Sequence, residues 1–99
     1  MKIHELKTDP IPFSDVYSGL KTFEIRKDDR HFQVGDVLHC RETLYSGAAM
    51  KTNSPLLYTG RELLAEVSCV LRGYGLVDGW VVMSINVLYR WDGRRVDEE

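Results

Sequence analysis

The sequence contains only two cysteines, and neither lies in a pattern typical of a metal site. Cys40 and Cys69 are 29 positions apart, each within an apolar run, and the chain has no CxxC pair and no Cys/His cluster at zinc spacing. Cysteines in apolar surroundings usually behave as small hydrophobic side chains. We therefore expect two buried, reduced thiols, and we expect neither a metal nor a cofactor.

Long apolar runs are also missing. No segment approaches the ~18–20 apolar residues that a membrane-spanning helix needs. The first five residues, Met-Lys-Ile-His-Glu, lack the apolar region of a signal peptide. The sequence therefore predicts a soluble, cytoplasmic protein without a membrane partner.

An excess of positive charge is the third absence. The chain has 13 Lys and Arg against 15 Asp and Glu, with a formal net charge of −2 and a sequence pI near 5.9. Proteins that coat long nucleic acids neutralise many phosphates and are usually basic. If this protein binds nucleic acid, it must do so through a local patch or a pocket of nucleotide size.

The length of 99 residues, with 43% hydrophobic and 28% charged residues, is typical of one small globular domain. We expect this domain to span residues 1–89 and to be monomeric. Residues 90–99 are mostly charged and have little to bury, which predicts a disordered C-terminal tail.

The hydrophobic pattern predicts one short helix near the N-terminus and several strands. Phe13, Val16, Tyr17 and Leu20 form a helical stripe that Gly19 should end. Strands are predicted at 2–7, 22–26, 37–44, 61–71 and 79–88. We expect an α+β fold in which a mostly antiparallel sheet curls into a small barrel. The polar segment 45–60 is predicted to be a long loop, either a lid or a tolerated insertion.

The strand at 22–26 carries the strongest candidate for a site. Alternation places Phe23 and Ile25 on one face, which we expect to be buried, and Glu24 and Arg26 on the other. Lys21 adds a second cation at the start of this strand. Such a group could hold a phosphate, a base edge or a polar small molecule; it could also be a solvated charge ladder worth about 0.5 kcal/mol per pair.

Each member of this group has a plausible role. Lys21 could contact a phosphate or a carbonyl, or act as a base. Glu24 could orient Lys21 and Arg26, or accept a hydrogen bond from a cytosine amino group. Arg26 offers a bidentate fork for a phosphate or a base edge. Two neighbouring cations favour an ionised Glu24, which predicts binding and orientation over proton transfer.

Further side chains are candidates for the border of the site. They are Lys7 and His4 from the first strand, Arg30 and His31 after the second, and Tyr74 between two glycines. Tyr74 could stack on a base or pack against the fold. Arg30 could instead pair with a neighbouring aspartate. Trp80 begins the most apolar run and is expected in the core.

Several stretches carry a resemblance to a known family. Residues 4–8 and 19–30, followed by 32–38, 58–61 and 79–85, resemble the ASCH (PUA-like) domains, in particular a small DUF3850-like branch of bacteria and phages. The pattern G-x-K-x-x-E-x-R is carried by Gly19, Lys21, Glu24 and Arg26.

The resemblance implies a PUA-like barrel whose signature residues line a cleft, and a function in binding RNA or acting on nucleotides. A related branch looks like an amidohydrolase for acetylated cytidine that uses a lysine and a threonine. Lys21 matches that lysine, whereas Glu24 occupies the threonine position. We expect an RNA- or nucleotide-binding module, with a hydrolase and a protein-interaction domain as alternatives. Whether the protein is an enzyme stays open.

Overall fold

A computed structural model describes residues 1–93 of the chain. These residues form five strands and two short helices, and strands hold 47% of them. In chain order the elements are β1 (Ile3–Thr8), α1 (Pro10–Tyr17), β2 (Phe23–Lys27), β3 (Val37–Thr43), α2 (Gly47–Met50), β4 (Tyr58–Leu71) and β5 (Trp80–Trp91). The predicted α+β class is confirmed.

The five strands form one sheet in the order β1-β3-β4-β5-β2. The β1–β3 pair is parallel, and the other three pairs are antiparallel. The sheet curls into a half-barrel, so the inner face encloses the core and the edge strands β1 and β2 border its open side. This arrangement places residues from β1 and β2, the two ends of the strand order, beside each other.

The helix α1 packs on this core through its apolar stripe. Phe13 and Val16 are buried, and Gly19 follows the helix with a φ of +88°, as the pattern predicted. Leu20 lies outside the stripe and is exposed. Asp9 stands at the N-cap position, but its side chain accepts a 2.9 Å hydrogen bond from the Gly47 amide instead of capping the helix.

Strand β2 faces the opposite way from the prediction. Phe23 and Ile25 are 41% and 48% exposed, whereas Glu24 is only 3% exposed. Glu24 pairs across the ladder with the core residue Met83 and therefore projects from the inner face. A two-residue period does not say which face is buried. In this strand the Glu24 carboxylate is inside because Lys21 and Arg26 form ion pairs with it there.

Two side chains expected in the core lie on the outer surface. Cys69 is exposed because a register shift between Val67 and Cys69 inserts an extra residue into β4 and reverses its alternation. Trp80 is 38% exposed, since it alternates outward from the buried Val81. Cys40 is buried as expected, and burial raises the pKa of its thiol to about 12.

The element boundaries differ from the prediction around the long loop and the C-terminus. The segment after β3 contains the single turn α2, and β4 begins at Tyr58, three residues before the predicted start. β5 continues through Arg90 to Trp91, so these two residues belong to the sheet and not to a tail. Asp92 and Gly93 follow the strand, and residues 94–99 of the predicted tail lie outside the described residues. Within residues 1–93, no helix has the length and apolarity to cross a membrane.

His4 was a candidate for the border of the site, but it is buried in a polar pair below β1. Its Nε2 lies 2.9 Å from Oδ2 of Asp36, and its ring meets Phe32 edge-on at 4.9 Å. Asp36 also accepts hydrogen bonds from the backbone amides of Lys2 and Gln33. Burial alone would raise the pKa of Asp36, but these hydrogen bonds outweigh it and hold the pKa below its ordinary value of 3.8.

We expect Asp36→Asn to lower the free energy of unfolding by about 1–3 kcal/mol near neutral pH, because buried donors lose a charged acceptor. A lowered folded-state pKa contributes stability that is present above pH 3.8 and disappears as the pH falls through the folded-state value. The difference between wild type and variant should therefore shrink below that pH in urea titrations. Asp78→Asn, at an exposed position, is the control; an unchanged difference at all pH values would contradict this account.

Candidate functional site

The open side of the half-barrel contains a cavity of about 660 Å³ between the edges of β1 and β2. Its lining includes five cationic residues, Lys7, Lys21, Arg26, Lys27 and Arg30, and three acidic ones, Asp9, Glu24 and Asp29. The whole chain carries a formal charge of −2. Positive charge is therefore concentrated at this cleft.

Glu24 is the centre of the polar cluster. Its Oε2 accepts a 2.9 Å hydrogen bond from Nζ of Lys21, and its Oε1 accepts one of 3.0 Å from Nε of Arg26. Lys21 also donates to the carbonyl of Phe23 at 2.7 Å, and its ammonium lies 4.9 Å from the Phe23 ring centre. The predicted orientation of Lys21 and Arg26 by Glu24 is thus present in the geometry.

Arg26 joins the two edges of the sheet. Its Nη1 donates to the carbonyl of Lys7 at 3.0 Å, and its Nη2 donates to Oγ1 of Thr8 at 2.9 Å. With the bond to Glu24, three of the guanidinium's five N–H donors are engaged. The guanidinium that was predicted to hold a phosphate is therefore directed at β1, and Arg26 bridges the two edge strands, which share no backbone ladder.

The remaining cations of the cleft make weaker contacts or no ion pair. Arg30 makes a weak 3.3 Å hydrogen bond to the carbonyl of Glu5 and lies 4.0 Å from the carboxylate of Asp29. The exposed ammonium groups of Lys7 and Lys27 have no ion-pair partner within residues 1–93. These three side chains, together with Lys21, are the groups that can meet a negatively charged ligand.

Three predicted candidates do not line the cavity: the buried His4, and the exposed Tyr74 and His31. Tyr74 is 90% exposed on the turn between β4 and β5, with a φ of +56°, and it does not line the cleft. His31 lies on an exposed turn with a φ of +54°, also outside the lining. Lys21, Glu24, Arg26, Arg30 and Lys7 do come together.

Several lining residues were not predicted as site residues, and three of them add polar or aromatic groups to the cleft. Thr8 is buried and accepts from Arg26, Lys27 extends the outer row of β2, and Trp80 is the partner of Lys27 across the ladder. Alternation places Lys27 on the face opposite Arg26, so the pattern pointed away from the site, and Lys27 lines the cavity because the cavity reaches over the edge of β2. No pattern in the sequence could have placed Trp80 beside it, because that neighbourhood depends on the pairing of β2 with β5.

The segment after β3 borders the cleft without covering it. It contributes to a second cavity of about 520 Å³ that shares Lys7 and Asp9 with the first and is also lined by Met50 and Lys51. The Ser46 side chain caps α2 by accepting from the Ala49 amide. The bond between Asp9 and α2 then fixes this turn beside α1. The segment 45–60 was predicted to be either a lid or a tolerated insertion. In the structure part of it forms a wall of a neighbouring groove.

A second buried ion pair holds α1 in place. Arg61 donates to both oxygens of Glu42 at 2.9 Å, and its guanidinium lies over the rings of Phe13 and Tyr17. Burial would raise the pKa of Glu42, but the hydrogen bonds from Arg61 and Thr59 outweigh it and lower the pKa. This cluster has a structural role, since it fixes the helix that leads to Lys21.

The described residues carry no group of three or more His, Cys, Asp or Glu side chains that could hold a metal ion. The fold and the cleft define a small α+β half-barrel domain with a cationic site between its sheet edges. Residues 3–85 match the family model described as a domain of unknown function, DUF3850, and the chain belongs to this family. No match was found among the curated proteins.

We expect Glu24→Gln to lower the free energy of unfolding by about 1–3 kcal/mol, because Lys21 and Arg26 then face each other without the buried carboxylate between them. Urea denaturation measures this loss. Glu66→Gln, at an exposed position of β4, is the matched control. Equal effects of the two substitutions would show that Glu24 does not organise the cleft.

We expect Arg26→Lys to loosen the closure between β1 and β2, because a lysine keeps the charge but cannot reach three acceptors at once. Hydrogen exchange of the edge-strand amides should become about tenfold faster, while the β3–β4–β5 amides keep their rates. Arg90→Lys, which alters an exposed arginine bonded to the Tyr17 carbonyl, is the control. Uniform acceleration across the sheet would contradict a local closing role.

Proposed function

We propose that the cleft between β1 and β2 binds a nucleotide, free or as one unit of an RNA chain, and that the domain is an ASCH-like, PUA-like binding module acting as a monomer in the cytoplasm. The observation that carries this proposal is the buried Glu24, which fixes Lys21 in a cavity with an excess of cations. A preorganised cation loses little conformational freedom when it binds a ligand.

The charge distribution supports a ligand of nucleotide size. An acidic chain is poorly suited to coat a long polyanion, yet the cleft gathers five cationic residues against three acidic ones. A cavity of about 660 Å³ lies in the range typical of small-molecule sites. A single phosphate and one base need few contacts, and the cleft offers cations and apolar walls for both.

The donors that remain free suggest how the ligand lies. Two of the three N–H donors of Lys21 serve Phe23 and Glu24, which leaves one for a phosphate or carbonyl oxygen. Lys7, Lys27 and Arg30 surround the opening and can neutralise the phosphate. Arg26 acts as a positioning residue, because its fork already holds Glu24 and the edge of β1.

Hydrolysis of a modified nucleoside or of RNA is less well supported. Both oxygens of Glu24 already accept hydrogen bonds from cations, so proton transfer by Glu24 would require breaking an ion pair. The arrangement therefore favours orientation and binding over general acid–base chemistry. A strand of a partner protein is also disfavoured at the β1 edge, since Arg26 and Arg30 occupy its carbonyl groups.

We expect Lys21→Ala to weaken nucleotide binding about tenfold or more, because a charged hydrogen bond to the ligand is lost. The measurement is an amide NMR titration with nucleosides, nucleoside monophosphates and a short single-stranded RNA. Shifts should cluster on β1, β2 and the turn that follows β2. Lys2→Ala, which removes a cation outside the cavity lining, should bind like wild type.

Other outcomes of the titration would change the assignment. Product resonances that grow with time, and that Lys21→Ala abolishes while the spectrum stays dispersed, would identify a hydrolase. No shift with any nucleotide or RNA would contradict the proposal and would favour a protein partner.

A further inference from the structure

The cavity does not end at the polar cluster but continues over the edge of β2 to an exposed aromatic side chain. Ile25 and Trp80 both line it and are 48% and 38% exposed. Both belong to the outer face of the sheet, whereas Glu24 and Arg26 belong to the inner face. The site therefore has a polar part inside the edge strand and an apolar part outside it.

Cationic groups accompany this apolar part. Lys27 is the ladder partner of Trp80, and it is exposed without an ion-pair partner in the described part of the chain. Arg30 and Lys7 continue the positive border toward β1. Beyond Lys7 the second cavity adds Lys51. Proteins that bind single-stranded nucleic acids combine aromatic rings, on which bases stack, with cations that contact the phosphates. The aromatic ring and the unpaired cations here form the same combination.

We propose that this trough binds at least two consecutive nucleotides of a single-stranded nucleic acid, with one unit at Lys21 and the base of a neighbouring unit stacked on Trp80. The inference rests on the proposed nucleotide site and extends it from a mononucleotide to an oligonucleotide. It also explains why Trp80 and Ile25 stay exposed at the rim of a charged cleft: their apolar surface is the platform for the second base.

The chain offers a direct reporter, because it has two tryptophans and Trp91 lies at the opposite end of β5. In a Trp91→Phe background, the fluorescence reports Trp80 alone. The probes are the four nucleoside 5′-monophosphates, random-sequence RNA and DNA pentamers, and an abasic pentamer with the same number of phosphates. Binding is measured by fluorescence and calorimetry at one fixed salt concentration.

We expect the base-containing pentamers to quench Trp80 and to bind about tenfold or more tightly than the monophosphates, as expected for one stacked base. The abasic pentamer should bind more weakly and leave the fluorescence unchanged. Trp80→Ala should lower the affinity for the base-containing pentamers to that for the abasic pentamer, whereas Trp80→Phe should keep most of the difference. Tyr89→Ala, an exposed aromatic of β5 outside the cavity lining, should leave both affinities unchanged.

The failures of this inference and of the proposed function are distinguishable. Monophosphate binding that Lys21→Ala weakens, with no tighter binding of pentamers, would overturn the inference and leave the nucleotide site standing. Equal affinity of abasic and base-containing pentamers would overturn it as well, since charge alone would then account for binding. No binding of any probe would overturn both. Trp80→Phe keeps the test valid if Trp80→Ala does not fold.

Discussion

The buried carboxylate of Glu24 is the constraint on which the cleft depends. A charge that is 3% exposed is tolerated only when hydrogen bonds and opposite charges replace the lost water. Lys21 supplies one partner from the turn before β2, and Arg26 supplies the other from the strand itself. Arg26 in turn reaches the edge of β1. One buried acid thus orients the candidate ligand-binding lysine and fixes the distance between the two sheet edges.

This arrangement explains how a sheet of five strands can curl without closing. A complete barrel would hide the edges of β1 and β2 in a backbone ladder. Here arginine side chains hold the carbonyls of Lys7 and Glu5 instead, which leaves room between the strands for a cavity. The cost of an open edge is offset by positive charge, because charged edge strands resist pairing with other chains. The same positive charge is the group of contacts that the proposed ligand would meet.

The inverted orientation of β2 follows from the same constraint and has a consequence for the surface. With Glu24 and Arg26 inside, Phe23 and Ile25 must point outward, and β5 places Trp80 in the same outer layer. The apolar residues that sequence patterning assigns to the core become an exposed rim beside the cations. In β2 the usual arrangement is therefore reversed, because the polar side chains face inward and the apolar side chains face outward. The polar site and the apolar border beside it both come from this alternating strand.

The sequence alone determined the features that depend on local chemistry: the α+β class, the helix that Gly19 ends, the approximate positions of the strands, and the grouping of Lys21, Glu24 and Arg26, which lie within one strand and its preceding turn. Only the tertiary structure decided what depends on strand pairing. Four features were of this kind: which face of β2 is buried, the contact of Arg26 with β1, the burial of His4 with Asp36, and the position of Trp80 at the cleft. A two-residue period is the same on both faces of a strand, and contacts between residues far apart in the chain are fixed by register and curvature, which no short segment encodes.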